Sequence, residues 1–553
     1  MDKRTIWAFI LILAVFWISS EFIWKPSSEA AQRGKEEKSP PAQSEVENTS
    51  QPALSDDNNP TQQATLEETI QPEKIESDID LNESITLENK KIRISFSNKG
   101  AVINSIELIK DYYLQDKKTP VELLRENDNL LGIDFEDQTG HQLSGVPQMY
   151  DWYQPDKSSV TFTGEGNFGT IEKTFRLKDD YMMEMVLAVS SKQEEQFNYV
   201  FKFDGIADTE RYLKRKKQNY QLIFEVDNKI ERITLQKLIK GKDKDKEING
   251  NIDWAALRSK FFIIGIKKDE LSSLFHVSAY NNNDSPAFKM YGRSPKPALE
   301  SHYDIYLGPV RADKMAGMGE GFEPASYAGN GIFFGQGFIK PISKLFSWIF
   351  SKFHKVIPSF GLCLIVFSIL IKTILYPLTH KSFESSTKMQ KIQPQIAALR
   401  VQYKSDPQKM NQEMQKIYKE HGVSPLGGCL PVLFQMPVFF ALYPVIRYSI
   451  DLRQAGFLWL KDLSEPDPYL ILPILMAIFM FLQQYMMQPK KSVLAEMSDQ
   501  QKAQLQSQKM MMYVMPLMMF FLFKSFPSGL VLYWTVFNIM SMLQQRTIRR
   551  KLS

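Results

Sequence analysis

The hydrophobic pattern of this sequence changes several times along the chain, and its first element is an apolar run. Residues 1–24 hold the run Ile6–Ile18 behind the cations Lys3 and Arg4. This order predicts a transmembrane signal anchor with its N-terminus in the cytoplasm. A cleaved signal peptide is the alternative, but the bulky residues after the run form a poor cleavage site.

The stretch after this run has almost no apolar residues. Residues 25–84 contain no Phe, Trp or Tyr and are rich in Ser, Pro, Gln, Glu and Asn. Such a composition cannot bury enough apolar surface to offset the entropy lost on ordering. The pattern predicts a disordered linker.

From residue 85 the apolar positions recur at every second residue. Ile92, Ile94 and Phe96 alternate with polar residues, and Met183 and Met185 belong to a later run of the same period. Many short runs of this kind, separated by turn signals, are typical of antiparallel sheets. We therefore predict a large antiparallel β-sandwich over residues 85–330.

The period changes to that of a helix at residues 341–355. Ile342, Leu345 and Phe346 begin an apolar stripe that continues to Phe353, and lysines and serines occupy the other face. A short, charged and strongly amphipathic segment is typical of a helix that lies in the membrane interface. A core helix of the preceding domain is the alternative.

Five further apolar segments follow, most of them near the length that a bilayer requires. They cover residues 356–378, 429–450, 468–487, 510–526 and 529–545. The loops on one side of these segments hold sixteen Lys and Arg residues, and those on the other side hold three. By the positive-inside rule the chain has six transmembrane helices, both termini in the cytoplasm, and residues 25–355 outside. Arg447, near the outer end of its span, is expected to extend to the interface.

The longest cytoplasmic loop, residues 379–428, carries helical signals of its own. Asp406 followed by Pro407 predicts a helix N-terminus, and Gly422 can end that helix. Apolar stripes on both sides of Asp406 predict a helical hairpin with one apolar face. The hairpin and the five spans form a helical core at residues 356–550.

Lys372 is the most unusual residue of the predicted spans. A lysine inside a membrane segment costs several kcal/mol unless it faces water or a partner, so it marks a functional site. Extension of its side chain to the nearby cytoplasmic surface is the alternative. No span carries an acidic partner, and the other spans hold polar residues of their own, which favours a wet cavity. These polar residues are Gln435, Gln484 and a stripe of Trp534, Asn538, Ser541 and Gln545, and Ser368 lies one turn from Lys372 on its own span.

Composition and charge narrow the function classes. The chain has 67 Lys and Arg against 63 Asp and Glu, so its net charge of +4 gives no field that favours nucleic acid. Its two cysteines cannot form a disulfide framework, and its six histidines are scattered without metal-ligand spacing. Phosphate-binding loops and nucleophile motifs are also missing from the sequence. We therefore predict no enzyme activity, no cofactor and no metal site.

Four motifs in the C-terminal part are similar to those of one family, the YidC membrane protein insertases. These are SPLGGCLPVLFQMPVFFALY at 424–443, FPSGLVLYWTVFN at 526–538, DPYLILPILM at 467–476 and YPLT at 376–379. The resemblance covers residues 341–550 strongly. The β-domain more weakly resembles the exported domain of the Gram-negative members. The chain departs from the family pattern at Ser424, where Asn is usual, and at Lys372, where many members have Arg.

This resemblance implies a polytopic helical protein of the bacterial inner membrane with a periplasmic β-sandwich related to sugar-binding folds. It implies an insertase or chaperone whose hydrophilic groove opens to cytoplasm and lipid. The partners implied are nascent membrane proteins, the ribosome, the Sec translocon and the lipid bilayer, without specific nucleic acid. The groove residues expected from the resemblance and the polar pattern are Lys372, Ser368, Gln435, Gln484, Trp534 and Asn538.

Two other classes stay open at the level of the residues. A transporter that uses Lys372 as its switch would require inverted repeats and carboxylates within the spans, and the sequence has neither. A membrane-anchored carbohydrate-binding protein is supported by the β-domain alone.

Overall fold

The part of the chain that begins at Ile85 folds first into strands, because its alternating pattern gives each strand one apolar face. The computed structural model describes residues 85–192, 195–210, 216–240, 245–270, 272–294, 297–326, 336–403, 406–423, 430–486 and 512–552. The predicted signal anchor at 1–24 and the predicted linker at 25–84 lie outside these residues.

Eighteen strands are present in the described residues. They are β1 (Ile85–Glu88), β2 (Arg93–Ser97), β3 (Val102–Tyr113), β4 (Pro120–Glu122), β5 (Leu130–Glu136), β6 (Asp151–Asp156), β7 (Ser159–Glu165), β8 (Gly169–Leu177), β9 (Met182–Ser191), β10 (Asn198–Phe203), β11 (Gln221–Val226), β12 (Lys229–Thr234), β13 (Asp245–Asn249), β14 (Ile252–Arg258), β15 (Phe262–Lys268), β16 (Leu274–Asn282), β17 (Ser285–Arg293) and β18 (Ala298–Pro309). Short helical turns lie at Lys216–Asn219, Leu235–Lys240, Ala312–Met315, Ala316–Met318 and Glu323–Ser326.

The strands form two antiparallel sheets. The first has the order β1-β2-β3-β5-β10-β17-β16-β13, with β4 paired to β3. The second has the order β12-β11-β14-β15-β18-β9-β8-β7-β6. Some neighbours, such as β10 with β17 and β9 with β18, are distant in the sequence, so this part of the strand order depends on long-range pairing.

The two sheets pack face to face through aromatic side chains. Phe96 of the first sheet lies 4.9 Å from Phe175 of the second, measured between ring centroids. Deeper in the core the hydroxyls of Tyr199 and Tyr303 share a buried hydrogen bond of 2.9 Å between the sheets. This arrangement confirms the predicted antiparallel β-sandwich.

The helix that follows the sandwich is longer than the amphipathic helix predicted at 341–355. Helix α1 covers Gln336–Val356. Phe346 and Phe350 of its apolar stripe are buried against Phe367 of the next helix, whereas Leu345 of the same stripe is 52% exposed. The stripe is therefore partly covered by the helical core.

The remaining helices are shorter than the predicted spans or run beyond them. They are α2 (Phe360–Ile374), α3 (Tyr376–Gln402), α4 (Pro407–Glu420), α5 (Leu430–Tyr448), α6 (Ile471–Met486), α7 (Met512–Phe523) and α8 (Ser528–Leu552). None of the described helices is by itself long and apolar enough to cross a membrane. Helix α2 and the first part of α3 are together long and apolar enough, but the chain bends by 65° between them.

Helices α3 and α4 pack against each other as a hairpin. The Asp406 carboxylate accepts a hydrogen bond from the Lys409 amide at 3.0 Å, which caps the first turn of α4. Gly422 adopts a φ of 59° directly after the helix, a conformation in which glycine is the least strained residue. Ile392 and Ile396 are buried in a small cluster between the two helices. The hairpin therefore has its own apolar seam.

Candidate functional site: a buried lysine between two helices

Helix α2 places Lys372 in its last turn, and helix α8 supplies the contact partner of this lysine. The Lys372 side chain is 2% exposed, and its Nζ donates a hydrogen bond to the Ser541 hydroxyl at 2.8 Å. The same Nζ lies 4.5 Å from the centroid of the Phe537 ring and 5.4 Å from that of Phe383. Two aromatic faces and one hydroxyl therefore replace water around the ammonium.

Lys372 has no ion pair among the residues that the structure describes. The hydroxyl of Ser368, one turn before it on α2, donates to the Leu364 carbonyl at 2.6 Å. No hydrogen bond joins this hydroxyl to Lys372 in the described residues. The ammonium is also not extended to the surface, because its residue is almost fully buried. The structure thus differs from the alternative interpretation, in which the Lys372 side chain extends to water at the cytoplasmic surface.

The face of α8 around Ser541 is polar, as its sequence predicts. Asn538, Ser541 and Gln545 are 7%, 1% and 4% exposed. The Asn538 Nδ2 and Gln545 Oε1 atoms are buried, and neither has a hydrogen-bond partner among the described residues. A buried polar atom without a partner costs about 1–3 kcal/mol, so this face favours a polar ligand or water.

One turn further on, α8 is tied to the start of α3. The Thr379 hydroxyl donates to Gln544 Oε1 at 3.2 Å, and Gln544 Nε2 donates to the Tyr376 carbonyl at 3.3 Å. These bonds fix the bend between α2 and α3 beside the lysine. Lys372 therefore lies at a bend that three helices define.

Three of the predicted groove residues have other contacts in the described part of the chain. Gln435 of α5 donates to the Tyr533 hydroxyl at 3.3 Å and is 5% exposed. Trp534 packs edge to face on Phe439, with 5.4 Å between ring centroids. Gln484 is half-buried on α6 and makes no hydrogen bond to the described residues. In the described residues Lys372 thus contacts Ser541 of the polar stripe, and no hydrogen bond joins it to these three.

Sequence reasoning placed Ser541 in the polar stripe without assigning it to the groove, and it overlooked Phe537 and Phe383. The spacing of Ser541 from Asn538 and Gln545, three and four residues, was the available signal. Aromatic contacts to an ammonium leave no such signal, because most Phe residues in apolar helices contact other apolar residues.

Arg447 also differs from its expected position at the lipid interface. Its guanidinium is buried and donates to the Asn219 side chain of the β-sandwich at 3.0 Å. The side chain does leave its helix, but it ends on a protein partner rather than in water.

Comparisons with family models divide the chain into two matches. The model described as "60Kd inner membrane protein" matches residues 352–553, and the model described as "YidC periplasmic domain" matches residues 84–340. The sandwich and the helical region thus each match a model.

Similar proteins extend this match over most of the chain. A membrane protein insertase YidC of Chloroherpeton thalassium is 30% identical over 522 residues, which cover 83% of this chain and 82% of that protein. The protein of the same name from Chlorobaculum tepidum is 29% identical and covers 99% of this chain and 94% of its own length. Among solved structures, an active YidC insertase with the first transmembrane domain resolved covers 84% of this chain and 92% of its own, with 17% identity and a TM-score of 0.34.

Proposed function

Because the chain belongs to the YidC family of membrane protein insertases, we propose that it works through a hydrophilic groove centred on Lys372. Its function is to insert nascent membrane proteins into the bacterial inner membrane, and the activity is non-enzymatic. Its β-sandwich is the periplasmic domain of the family. The family assignment decides against the transporter and carbohydrate-binding alternatives as the main function.

The observation that supports the groove is a buried cation to which the described residues supply no counter-charge. Lys372 donates to one neutral hydroxyl, and two amide groups on α8, those of Asn538 and Gln545, each have a polar atom that no described residue hydrogen-bonds. A buried ammonium without a carboxylate is destabilising unless a ligand or water compensates it. The arrangement is suited to a polar segment that enters and supplies the missing acceptors.

The proposed mechanism reduces a desolvation penalty. A hydrophilic segment of an entering protein loses its water when it crosses hydrocarbon, and this costs several kcal/mol for each charge. In the groove the ammonium of Lys372 attracts acidic groups, and the amides of Asn538 and Gln545 hydrogen-bond the backbone. The segment then has only the outer part of the bilayer left to cross.

The other predicted groove residues take supporting roles in this proposal. Trp534, with its aromatic neighbours, offers an apolar surface to the transmembrane part of the substrate. Gln435 holds the Tyr533 hydroxyl behind that surface. Ser368 contributes a small side chain that leaves room beside Lys372, and Gln484 lines the cytoplasmic approach.

We also propose the finer topology that the charge pattern predicts. The chain would have six transmembrane helices, with 1–24 as an uncleaved anchor, both termini in the cytoplasm, and residues 25–355 in the periplasm. The hairpin at 379–428 would receive nascent chains at the ribosome, and α1 would lie in the outer interface. Cooperation with the Sec translocon is an expectation from the family.

The test is insertion by a series of Lys372 variants, measured by protease protection of substrates in the inner membrane. Lys372→Ala should impair substrates with acidic external segments, and Lys372→Glu should impair them more, because like charges repel in a site of low dielectric. Lys372→Arg should remain active, since the charge is kept and donors are added.

The matched control is Lys118→Ala, which removes an exposed lysine of the β-sandwich and should leave insertion unchanged. Substrates with neutral, very apolar segments should depend least on Lys372. Equal insertion by the Ala, Glu and wild-type proteins, at equal membrane levels, would remove Lys372 from the mechanism.

A further inference from the structure

Two arginines of the second sheet lie on one face of neighbouring strands. Ile223 of β11 pairs with Arg232 of β12, and Gln221 of β11 pairs with Arg258 of β14. Side chains two residues apart on a strand lie on the same face of a sheet, as do those directly opposite each other on neighbouring strands. Arg232, Gln221 and Arg258 therefore form one group, which we call the arginine cluster.

The polar atoms of the arginine cluster are hydrogen-bonded only in part. Arg258 Nη1 donates to the Ala325 carbonyl at 2.8 Å, and Arg232 Nη2 donates to the Pro324 carbonyl at 2.6 Å. The other terminal nitrogens, Arg258 Nη2 and Arg232 Nη1, are buried without a partner among the described residues, and so is Gln221 Oε1. Buried polar atoms in proteins nearly always have a partner, so these three atoms indicate a site for a ligand or for water.

Both guanidinium groups of the arginine cluster are charged, and no carboxylate of the described residues pairs with either. Arg258 is 1% exposed. Burial, together with the neighbouring charge of Arg232, lowers the pKa of Arg258 to about 9, and burial lowers the pKa of Arg232 to about 10. Both values remain above neutral pH, so the cluster holds two positive charges. Water can supply acceptors to this cluster, but only an anion supplies the counter-charge as well.

Other buried cations at the junction between the sandwich and the helices do have a carboxylate. The Arg453 guanidinium contacts Glu210 with 3.0 Å between Nε and Oε1, and Lys260 contacts Glu465 with 2.7 Å between Nζ and Oε1. All four side chains are at most 13% exposed. The arginine cluster differs from these pairs, and we expect its counter-charge to come from a bound anion.

The arginine cluster lies beside the outer end of a helix of the membrane core. The Arg258 Cζ atom is 5.9 Å from the centroid of the Tyr448 ring, and the Arg447 Cζ atom is 5.4 Å from the same centroid. Tyr448 is the last residue of α5. In the proposed topology this end of α5 reaches the periplasmic surface, where tyrosines commonly lie at the level of the lipid headgroups. The cluster is therefore close to the level of lipid phosphates.

We propose that the arginine cluster binds a phosphate group that carries a hydroxyl, supplied by the headgroup of an anionic glycerophospholipid or by a free phosphate ion. The phosphate oxygens accept hydrogen bonds from Arg258 Nη2 and Arg232 Nη1, since guanidinium groups match phosphate in charge and geometry. The hydroxyl donates to Gln221 Oε1. This binding goes beyond insertion and does not depend on Lys372; only its placement among lipid headgroups rests on the proposed topology.

Strand β12 is the expected route of entry, because it is the outermost strand of the second sheet. Parts of a structure open locally without global unfolding, and elements with few neighbours open most readily. Opening of β12 separates Arg232 from Arg258 and admits the anion between them. A bound phosphate must leave before β12 opens, so binding should slow hydrogen exchange of the amides that join β11 and β12.

The experiment is hydrogen exchange of the full chain in a maltoside detergent, which contains no phosphate. Inorganic phosphate is titrated in one series, and phosphatidylglycerol in mixed micelles is titrated in a second. Exchange in β11 and β12 should slow in proportion to one plus the ratio of ligand concentration to Kd, which is about tenfold when the ligand is at about ten times Kd. Sodium chloride at equal ionic strength is the control for screening, and diacylglycerol is the control for acyl chains.

Two variants test whether the arginine cluster is the binding site. Arg258→Gln and Arg232→Gln should each abolish most of the protection, because each removes one of the two charges. The matched control is Arg176→Gln on β8, an exposed arginine of the same sheet, which should keep the wild-type response. Arg232 is only half-buried, so its variant is the safer one for folding. Limited proteolysis without ligand reports whether each variant is folded.

The two titrations identify the source of the phosphate. Protection by phosphatidylglycerol at concentrations at which inorganic phosphate has no effect assigns the site to a lipid headgroup. Protection by inorganic phosphate at equal or lower concentrations assigns it to a free ion. Both outcomes support the arginine cluster as the binding site when Arg232→Gln loses the protection.

No protection by either ligand would overturn the inference, and so would equal protection by sodium chloride or by diacylglycerol. An unchanged response of the folded Arg258→Gln and Arg232→Gln variants would also overturn it. None of these results bears on insertion by the Lys372 variants, so the proposed function is decided by its own experiment.

Discussion

The ammonium of Lys372 on α2 and the hydroxyl of Ser541 on α8 form a 2.8 Å hydrogen bond inside the helical core. It is the one side-chain hydrogen bond that the described residues give this lysine, and its acceptor carries no charge. A neutral acceptor satisfies one of the three donors of an ammonium and leaves the charge without compensation. The ammonium therefore has unused hydrogen-bond donors, and acceptors of an entering polypeptide can bind them.

Replacing Lys372 by Met should make the protein more stable and less active. Met fills a similar volume, and removal of the charge recovers up to roughly 2.5–3.5 kcal/mol, the cost of a lysine at the centre of a membrane helix. We expect a higher midpoint of thermal unfolding in nanodiscs, together with reduced insertion of acidic substrates. Ser541→Ala serves as the comparison, because it removes the hydroxyl but keeps the charge. A lower unfolding midpoint for Lys372→Met would show that the charge stabilises the helical core.

The stability of the β-sandwich should rise with pH above neutrality because of Lys173. This lysine is fully buried on β8, where burial lowers its pKa to about 7, and its Nζ donates to the carbonyls of Gly100 and Ala101. The folded pKa lies below the unfolded value of 10.5, so the unfolded chain binds more protons between pH 7 and 10.5. Stability then increases with pH in this window, by at most about 1.4 kcal/mol per unit.

Urea-dependent proteolysis of the sandwich in the full chain, at pH 6.5 and 8.5, measures this effect. The wild type should resist proteolysis better at pH 8.5, and Lys173→Met should lose the difference. A difference of the same size in Lys173→Met would assign the pH dependence to another group.

The N-cap of the cytoplasmic hairpin can be tested by hydrogen exchange. Asp406→Ala removes the bond to the Lys409 amide, and loss of such a cap costs about 1 kcal/mol. Amides in α4 should therefore exchange about fivefold faster, while those of α8 should not change. Lys416→Ala is the control, since its contact with Glu413 is exposed and contributes little. Unchanged exchange in Asp406→Ala would mean that the apolar seam alone holds α4.

The topology can be checked by cysteine labelling in a background that lacks Cys363 and Cys429. Ser159→Cys, in the sandwich, should react with a membrane-impermeant maleimide in cells whose outer membrane is permeabilised. Gln408→Cys, exposed on α4, should react only after the inner membrane is opened. Labelling of both positions before that step would contradict the six-span topology.

Local patterns explain what the sequence could predict about the fold. The two-residue alternation around Phe96 depends only on near neighbours, so the strands and the sandwich class could be predicted. The cap at Asp406 follows from side-chain chemistry within one turn. The strand order could not be predicted, because pairs such as β9 with β18 join residues about a hundred positions apart.

The site was predictable to the same limited extent. Lys372 was identifiable because a lysine is rare in an apolar run, whereas its distance from Gln435 and Trp534 depends on how the helices rotate against each other. The pairing of Arg453 with Glu210 was hidden for a similar reason. The sequence shows Arg453 only as one charge in an outer loop, and its burial is a result of tertiary packing.

The contact between Lys372 and Ser541 spans 169 positions, and this separation has a consequence for the synthesis of the protein itself. At about 5–20 residues per second, Lys372 leaves the ribosome roughly 10–30 s before its partner. During that interval α2 exposes an ammonium that α8 has not yet covered. During part of its own synthesis the insertase is thus a membrane protein with an uncovered charged residue. The existing insertion machinery must then accommodate a polar group in the membrane, as this protein later does for its substrates.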